Sequence, residues 1–284
     1  MTRPERRAVD GDMSSEAELA ASARSLEKAG RLDEAADLLE PRIETPTASP
    51  EILYRLGCVR VRQQRLADAE TLLRRAIATR QEDARFHTNL GVVLDQLGRS
   101  DEAVRSFRRA LQLAPDDAVA LLNLGALYGE MGRYDDAGRW LVRCLELHPG
   151  FDPAFNLAIV RLRQGELQEA QRLLEVAVHY DRNSPLALFY LGRCRQKLGR
   201  KAAAVEALTE ALRIEPDLVQ ARFTLGMALN ALGRHRDAIA ELERAAKALP
   251  DEGKVHYQLG IAYDAMADKS RARECYRRAR TCAS

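Results

Sequence analysis

The sequence predicts an all-α protein made of stacked helix pairs, and three observations favour this fold class. A pattern recurs with a stride of 34 residues, once 33, as in residues 89–115 and 123–149. A Leu-Gly pair tends to fall at positions 7 and 8 of each copy, and alanine always stands at position 20. Self-similarity at this period is typical of proteins in which each helical unit buries its apolar face against its neighbours.

Aligning the Leu-Gly pairs divides the chain into eight repeats, which cover residues 16–284. The repeats begin at Glu16, Pro50, Ala84, Ala118, Phe151, Pro185, Val219 and Gly253. Residues 1–15 carry charge but no apolar run, and we predict that they form a disordered N-terminal tail.

Glycine and proline mark the helix boundaries within a repeat. Glycine tends to stand at position 15, where a residue that tolerates positive φ can end one helix and turn the chain into the next. Proline near position 32 removes an amide donor and predicts the end of the second helix. We expect the small alanine at position 20 to mark the closest approach of the second helix to the glycine at position 8. The turn glycines are Gly30, Gly98, Gly132, Gly165, Gly199 and Gly233, and the prolines are Pro115, Pro149, Pro216 and Pro250.

These residues resemble the tetratricopeptide repeat family. Its pattern has an apolar residue at position 7, Gly or Ala at 8, an aromatic residue at 11, Ala at 20, an aromatic residue or Leu at 24, Ala at 27 and Pro at 32. The resemblance covers nearly the whole chain and implies a right-handed superhelical solenoid of helix-turn-helix units. It is imperfect at position 11, where Arg60, Arg161 and Arg195 stand. Repeat three matches with Leu90, Gly91, Leu94, Ala103, Phe107, Ala110 and Pro115.

The first and last repeats have the character of caps. Repeat one is degenerate, with Ser22 and Ala23 at positions 7 and 8, and Pro41 should end its second helix early. The following "ETPTASP", residues 44–50, predicts a loop. In repeat eight the usually apolar position 28 is Arg280, so we expect solvent to cover that face and the solenoid to be complete.

Positions 2, 6, 9 and 13 of each first helix point away from the second helix, because successive residues advance by about 100°. In a tetratricopeptide superhelix this side lines the concave groove, and we call it the groove face. It carries three acidic residues, Glu51, Glu130 and Asp152, and nine basic ones, so its net charge is +6 and the rest of the chain carries −4. The nine basic residues are Arg24, Lys28, Arg55, Arg62, Arg85, Arg163, Arg193, Lys197 and Lys254.

Two interpretations of these cations remain open. A cationic concavity concentrates its field on an acidic ligand, which favours a binding role. Alternatively, the residues merely solvate helix faces, because arginine is common in this chain, with 38 arginines against 6 lysines.

Asparagine occupies position 6 in three consecutive repeats, as Asn89, Asn123 and Asn156. Asparagine is a mediocre helix former, so helix propensity does not explain why it recurs in the middle of these helices. A carboxamide can donate and accept hydrogen bonds, as an extended peptide backbone requires. The arrangement resembles the asparagine ladder in the tetratricopeptide region of O-linked GlcNAc transferases. The alternative is that these side chains are simply solvated.

Aromatic residues recur at position 5, and at this spacing we favour packing against the next first helix over ligand contact. Tyr190 at position 6 and Met227 at position 9 lie on the groove face, which predicts a more apolar C-terminal half. The position-5 aromatics are Tyr54, Phe155, Phe189, Phe223 and Tyr257.

The sequence contains fragments of catalytic and metal-binding motifs, but each lacks the companion residues or the spacing that its chemistry requires. We therefore predict no enzyme activity, no cofactor and no metal. "HRD" at residues 235–237 lacks the asparagine of a kinase catalytic loop, since Leu242 stands at that place. The five histidines show no metal-binding spacing. Position 5 is never lysine, which argues against the carboxylate clamp of chaperone-binding tetratricopeptide proteins.

The cysteines, the N-terminus and the net charge indicate the cellular location and the class of partner. Five cysteines form no C-x-x-C pair and are odd in number, the N-terminus lacks the apolar segment of a signal peptide, and no apolar run reaches about 18 residues. These features predict a cytoplasmic protein. The total charge of +2 argues against a nucleic-acid partner.

We therefore predict a non-enzymatic scaffold that binds an extended, acidic peptide segment of another protein. Two alternatives stay open: self-assembly of solenoids into an oligomer, and binding of an anionic polymer such as RNA. The predicted site combines Asn89, Asn123, Asn156, Arg55, Arg62, Arg85, Arg163, Tyr190, Arg193 and Lys197.

Overall fold

The structure is a computed structural model that describes the backbone of residues 3–44 and 48–282 and the side chains of residues 16–44 and 48–282. Within these ranges it contains sixteen α-helices and no strand, which confirms the all-α fold class. The chain forms two compact blocks, which we call the N-terminal block, Met1–Leu147, and the C-terminal block, His148–Ser284.

The N-terminal block consists of four helix pairs. Each odd-numbered helix packs against the even-numbered helix that follows it and against the next odd-numbered helix. The helices are α1 Arg3–Lys28, α2 Leu32–Leu39, α3 Pro50–Arg62, α4 Leu66–Thr79, α5 Ala84–Gln96, α6 Ser100–Leu113, α7 Ala118–Glu130 and α8 Tyr134–Leu147.

The C-terminal block repeats the arrangement with four further pairs. Each pair packs on the next through its even-numbered helix, and α11, α13 and α15 also contact one another in sequence. The helices are α9 Phe151–Gln164, α10 Leu167–Tyr180, α11 Pro185–Lys197, α12 Lys201–Ile214, α13 Val219–Ala231, α14 His235–Ala248, α15 Gly253–Ala265 and α16 Lys269–Thr281.

Repeat one departs from the others as its sequence predicts. Helix α2 has only eight residues and runs into a 3₁₀ turn, Glu40–Arg42, that contains Pro41. Residues 45–47 of the predicted loop lie outside the described residues. The predicted tail, residues 1–15, overlaps α1; its side chains lie outside the described residues, and its disorder stays a prediction.

The turn between the two helices of a repeat depends on a left-handed residue at position 15. Two repeats lack glycine there, and Gln64 and Ala267 adopt φ values of 61° and 62° in its place. All six predicted turn glycines have positive φ, between 73° and 83°. The geometry of the turn is therefore kept even where a side chain makes it costly, because a left-handed conformation costs a non-glycine residue about 1 kcal/mol.

We expect Gln64→Gly to raise the free energy of unfolding by about 1 kcal/mol, because it removes this strain and no described side-chain contact. The matched substitution Gly98→Gln should lower it by a similar amount. Urea denaturation of the full chain measures both. Equal stability of Gln64→Gly and the wild type would show that the turn stores no strain.

The closest approach within a helix pair differs from the prediction. A Cβ atom on the position-8 glycine would meet the side chain at position 24: it would lie 2.6 Å from the Phe107 ring at Gly91 and 2.6 Å from Leu141 Cγ at Gly125. The position-20 alanines are buried as expected, but only their backbone comes near. The glycine makes room for a large buried side chain rather than for a second backbone, because position 24 points directly at it.

Arginine at position 11 is explained by ion pairs. Arg60 pairs with Glu40, and Arg195 pairs with Glu175 at 3.1 Å, in each case on the second helix or turn of the preceding repeat. Arg161 instead pairs with Glu169 of its own repeat at 3.1 Å. These departures from the family pattern exchange an apolar contact for a charged one.

Candidate functional site

The groove face is accessible to solvent in both blocks. Positions 2 and 13 of the first helices are exposed in nearly every repeat, and positions 6 and 9 are mostly half-buried. Thr224 at position 6 of repeat seven is an exception, since it is buried and its hydroxyl donates to the Gln220 carbonyl at 2.7 Å. Helix-pair packing therefore leaves this face free for other contacts.

Two predicted cations of the N-terminal block, Arg55 and Arg85, are held by acidic groups of the chain itself. Glu51 accepts from Arg55 at 3.1 Å and from Arg85 at 2.9 Å, and Arg85 also bonds Asp83 at 2.7 Å. The hydrogen bonds that Arg85 donates to Asp83 and Glu51 raise the pKa of Arg85. Sequence reasoning missed Asp83, because it lies at the helix N-cap rather than on the groove face, although it stands only two residues before Arg85.

Glu27 is a further acidic group in this region. Its side chain is buried, and its Oε1 atom has no hydrogen-bond partner among the described residues. Burial raises the pKa of Glu27, and the nearby guanidinium groups of Arg55, Arg62 and Arg24 oppose that shift. Arg62 also donates to the Glu27 backbone carbonyl. The cationic field predicted for this part of the groove face is thus partly neutralised.

The three predicted asparagines have different surroundings. The Asn89 amide donates to the Arg85 carbonyl at 2.9 Å and to the Tyr54 hydroxyl at 3.2 Å, and its Oδ1 lies 3.8 Å from Cys58 Sγ. Asn123 donates to the Val119 carbonyl at 2.8 Å, one turn back along α7. Asn156 is half-buried. Asn89 therefore has the least hydrogen-bonding capacity left, and Asn123 keeps its carbonyl oxygen.

The predicted cations of the C-terminal block have a different environment. Arg163, Arg193 and Lys197 are exposed, and none forms an ion pair within the described part of the chain. Arg193 lies over the ring of Tyr190, 5.9 Å from its centroid. The Tyr190 ring in turn meets Phe155 edge-on at 5.8 Å, which links α11 to α9 beside Asn156. This face combines unpaired cations, a carboxamide and an aromatic pair.

We call this set the C-terminal cluster: Asn156, Arg163, Tyr190, Arg193 and Lys197. An unpaired cation is available to a ligand carboxylate without first losing an internal partner. The aromatic rings offer apolar area and a stacking surface. Of the two parts of the predicted site, this one can bind an acidic group at lower cost.

No group of three or more His, Cys, Asp or Glu side chains in residues 16–44 and 48–282 is placed to hold a metal ion. Across the described chain, no helix has both the length and the apolarity needed to cross a membrane.

Stacked helix pairs that leave one polar, accessible face define a helical-repeat protein of the protein-interaction class. Family comparisons identify the kind of repeat. Models of the tetratricopeptide repeat match residues 19–41, 54–118, 96–159 and 253–279. A model described as anaphase-promoting complex, cyclosome, subunit 3 matches residues 163–245. The chain belongs to the tetratricopeptide repeat family.

Solved structures agree on the fold. The chain is similar to YrrB, described as a tetratricopeptide protein with an unusual peptide-binding site, with a TM-score of 0.59 and 22% identity over 64% of this chain and 95% of YrrB. It is similar to PilF of Pseudomonas aeruginosa, with a TM-score of 0.65 and 19% identity over 72% and 94% of the two chains. A tetratricopeptide protein of Parabacteroides merdae gives a TM-score of 0.61 and 17% identity over 88% and 99%. No curated protein matches the sequence.

Proposed function

We propose that this protein is a non-enzymatic scaffold that binds an extended, acidic peptide segment of another protein on its groove face. The observation that carries the proposal is the C-terminal cluster, where Arg163, Arg193 and Lys197 have no ion-pair partner among the described residues. The peptide-binding site described for YrrB is consistent with this role.

Each group in the C-terminal cluster has a part in the proposed complex. The three cations attract the acidic segment and pair with its carboxylates, which supports specificity and association rate. Asn156 bonds the peptide backbone, independently of side-chain identity. Tyr190, supported by Phe155, packs against the apolar part of the bound segment.

The N-terminal block contributes less to peptide binding than the C-terminal cluster. Asn123 offers its carbonyl oxygen to a peptide amide, while Arg55, Arg62 and Arg85 must first leave their internal partners. Arg24 and Lys28 border a cavity of about 500 Å³ between α1, α3 and α5, together with Arg55 and Arg85. We propose a cytoplasmic setting, because none of the five cysteines is joined in a disulfide within the described residues.

Charge reversal of the C-terminal cluster tests the proposal. We expect a fluorescent oligoglutamate peptide to bind the full chain, and the triple variant Arg163→Glu, Arg193→Glu, Lys197→Glu to weaken binding by about tenfold or more at low salt. An oligolysine peptide of equal length should not bind. Fluorescence anisotropy gives the dissociation constants.

A second triple variant serves as the matched control, because it changes the net charge of the C-terminal block by the same amount as the first. Arg172, Arg182 and Arg236 are exposed and lie off the groove face, so their reversal to glutamate should weaken binding far less. Equal losses in the two triple variants would mean that net charge alone attracts the peptide and would refute the proposed site. Self-association of the wild type that excludes the peptide would favour the oligomeric scaffold instead.

Single asparagine variants test the hydrogen-bonding role. Asn156→Ala should weaken peptide binding about fivefold, because it removes one backbone hydrogen bond of about 1 kcal/mol. Asn89→Ala should leave binding nearly unchanged and lower the stability of the chain, because its amide is already bonded to Arg85 and Tyr54. The same anisotropy titration and a thermal melt compare them. An equal loss of affinity for both variants would contradict this ranking.

A further inference from the structure

The aromatic residues at position 5 are covered in every repeat of the C-terminal block except the last. Phe155 and Phe223 are half-buried, and Phe189 is only 7% exposed. Tyr257, at the same position of repeat eight, is 53% exposed. A single exposed apolar side chain is ordinary, so the exposure of Tyr257 becomes informative only if other apolar side chains lie beside it.

Tyr257 borders a pocket of about 710 Å³ between α13, α15 and α16. Its apolar lining is formed by Phe223, Met227, Tyr257 and Tyr276, and the two tyrosine rings lie 5.8 Å apart. This volume falls in the range of sites that bury a ligand group, and the lining is largely apolar as in such sites. Met227 adds a flexible side chain that can adapt to different partners.

The rim of the pocket is cationic on two sides. Lys254 on α15 and Arg280 on α16 are both exposed, and neither forms an ion pair with any described residue. Among the described residues that line the pocket, Glu252 is the one acidic side chain. An apolar pocket with two unpaired cations at its edge complements an apolar group that carries negative charge beside it.

We propose that this pocket, which we call the anchor pocket, binds a single large apolar side chain of a linear peptide, flanked by acidic residues that pair with Lys254 and Arg280. The inference rests on the proposed function only in that the ligand is a peptide. It assigns a second contact, with its own chemistry, to residues outside the C-terminal cluster.

The proposed anchor has a definite chemical class. A phenylalanine or leucine side chain fills apolar space and gains from leaving water, whereas alanine at the same place gains little. Acidic residues on both sides of the anchor would be attracted to Lys254 and Arg280 on the rim, whereas lysine residues there would be repelled by them. The preferred ligand is therefore an acidic peptide with one aromatic or aliphatic residue at its centre.

Synthetic peptides test the anchor directly. We compare a peptide with a central phenylalanine between glutamates against matched peptides with central alanine and with lysine flanks, using fluorescence anisotropy on the full chain. The central alanine should weaken binding about tenfold or more, and the lysine flanks should abolish it. Equal affinity for the phenylalanine and alanine peptides would overturn the proposal.

Methionine methyl resonances locate the binding. Met227 lines the pocket, whereas Met131 and Met266 do not, so selective methyl labelling provides internal controls. The phenylalanine peptide should shift the Met227 signal and leave the other two in place. A shift of Met131 or Met266 without one of Met227 would place the peptide elsewhere and overturn the assignment.

Two sets of variants separate this inference from the proposed function. Tyr257→Glu changes an exposed side chain and should weaken the phenylalanine peptide about tenfold, with little effect on oligoglutamate binding. The triple variant of the C-terminal cluster should lose affinity for oligoglutamate and largely keep its affinity for the phenylalanine peptide. That peptide should still shift the Met227 signal. Loss of both peptides, or of neither, on Tyr257→Glu would refute a separate anchor pocket. Concentration-dependent dimerisation that Tyr257→Glu abolishes would show instead that a second copy occupies it.

Discussion

Glu40→Ala should lower the free energy of unfolding by about 1–2 kcal/mol, because it takes the ion-pair partner from the buried guanidinium of Arg60, while Glu40 itself is half exposed and partly screened by water. Arg60 is only 5% exposed, and it pairs with Glu40 and donates to Gln63 Oε1 at 2.6 Å. Burial lowers the pKa of Arg60, which shows that the charged form is already costly at this place. Without Glu40, Arg60 keeps the attraction of Asp68, Asp33 and Asp37 but loses its direct ion pair, and urea denaturation measures the loss.

A second substitution distinguishes the ion pair from a general role of α2 and its turn. Position 11 is leucine in other repeats, as at Leu94 and Leu229, so Arg60→Leu should be tolerated and should restore most of the stability lost in Glu40→Ala. Glu34→Ala breaks an exposed pair with Arg31 in repeat one and should cost far less stability than Glu40→Ala, because water screens that pair. A double variant no more stable than Glu40→Ala alone would disprove the explanation.

Gly91→Ala should destabilise the protein by about 1–3 kcal/mol, although alanine is the better helix former. The added Cβ would lie 2.6, 2.7 and 2.9 Å from three atoms of the Phe107 ring. Phe107 is fully buried, so the ring cannot move aside without disturbing its neighbours. Chemical denaturation at equilibrium gives the change.

The equivalent position of repeat five supplies the control. Ala158 stands at position 8 there and is fully buried, so Ala158→Gly should cost about 1–2 kcal/mol through helix propensity and the loss of a buried methyl group. The two exchanges between glycine and alanine run in opposite directions and should both destabilise. If Gly91→Ala instead stabilised the chain, helix propensity would outweigh the close contact with Phe107.

Much of the fold follows from local rules. The 34-residue stride, the turn glycines and the prolines predict the two helices of each repeat, and α6, α12 and α14 each end two residues before a proline. The early end of α2 before Pro41 follows from the same rules. Helical periodicity also predicts which positions stay accessible, because the direction of a side chain depends on its place in the turn.

The candidate site was less predictable, because its chemistry depends on partners that come from other elements. The pattern places Arg85 and Arg193 alike on the groove face, yet Arg85 is bonded to Asp83 and Glu51 while Arg193 lies over Tyr190. Asn89 and Asn156 share position 6, but Asn89 bonds Tyr54 of the preceding repeat. Sequence spacing does not contain these distances.

The order of residues along the chain was sufficient to establish the repeat, its helix boundaries and the accessible face of each first helix, since these depend on backbone conformation and the 3.6-residue period. Only the packing between helices determined which large side chain lies against each position-8 glycine and which cations form ion pairs within the chain. The physical reason is range: ion pairs and steric contacts act over a few ångströms, between groups that different repeats bring together.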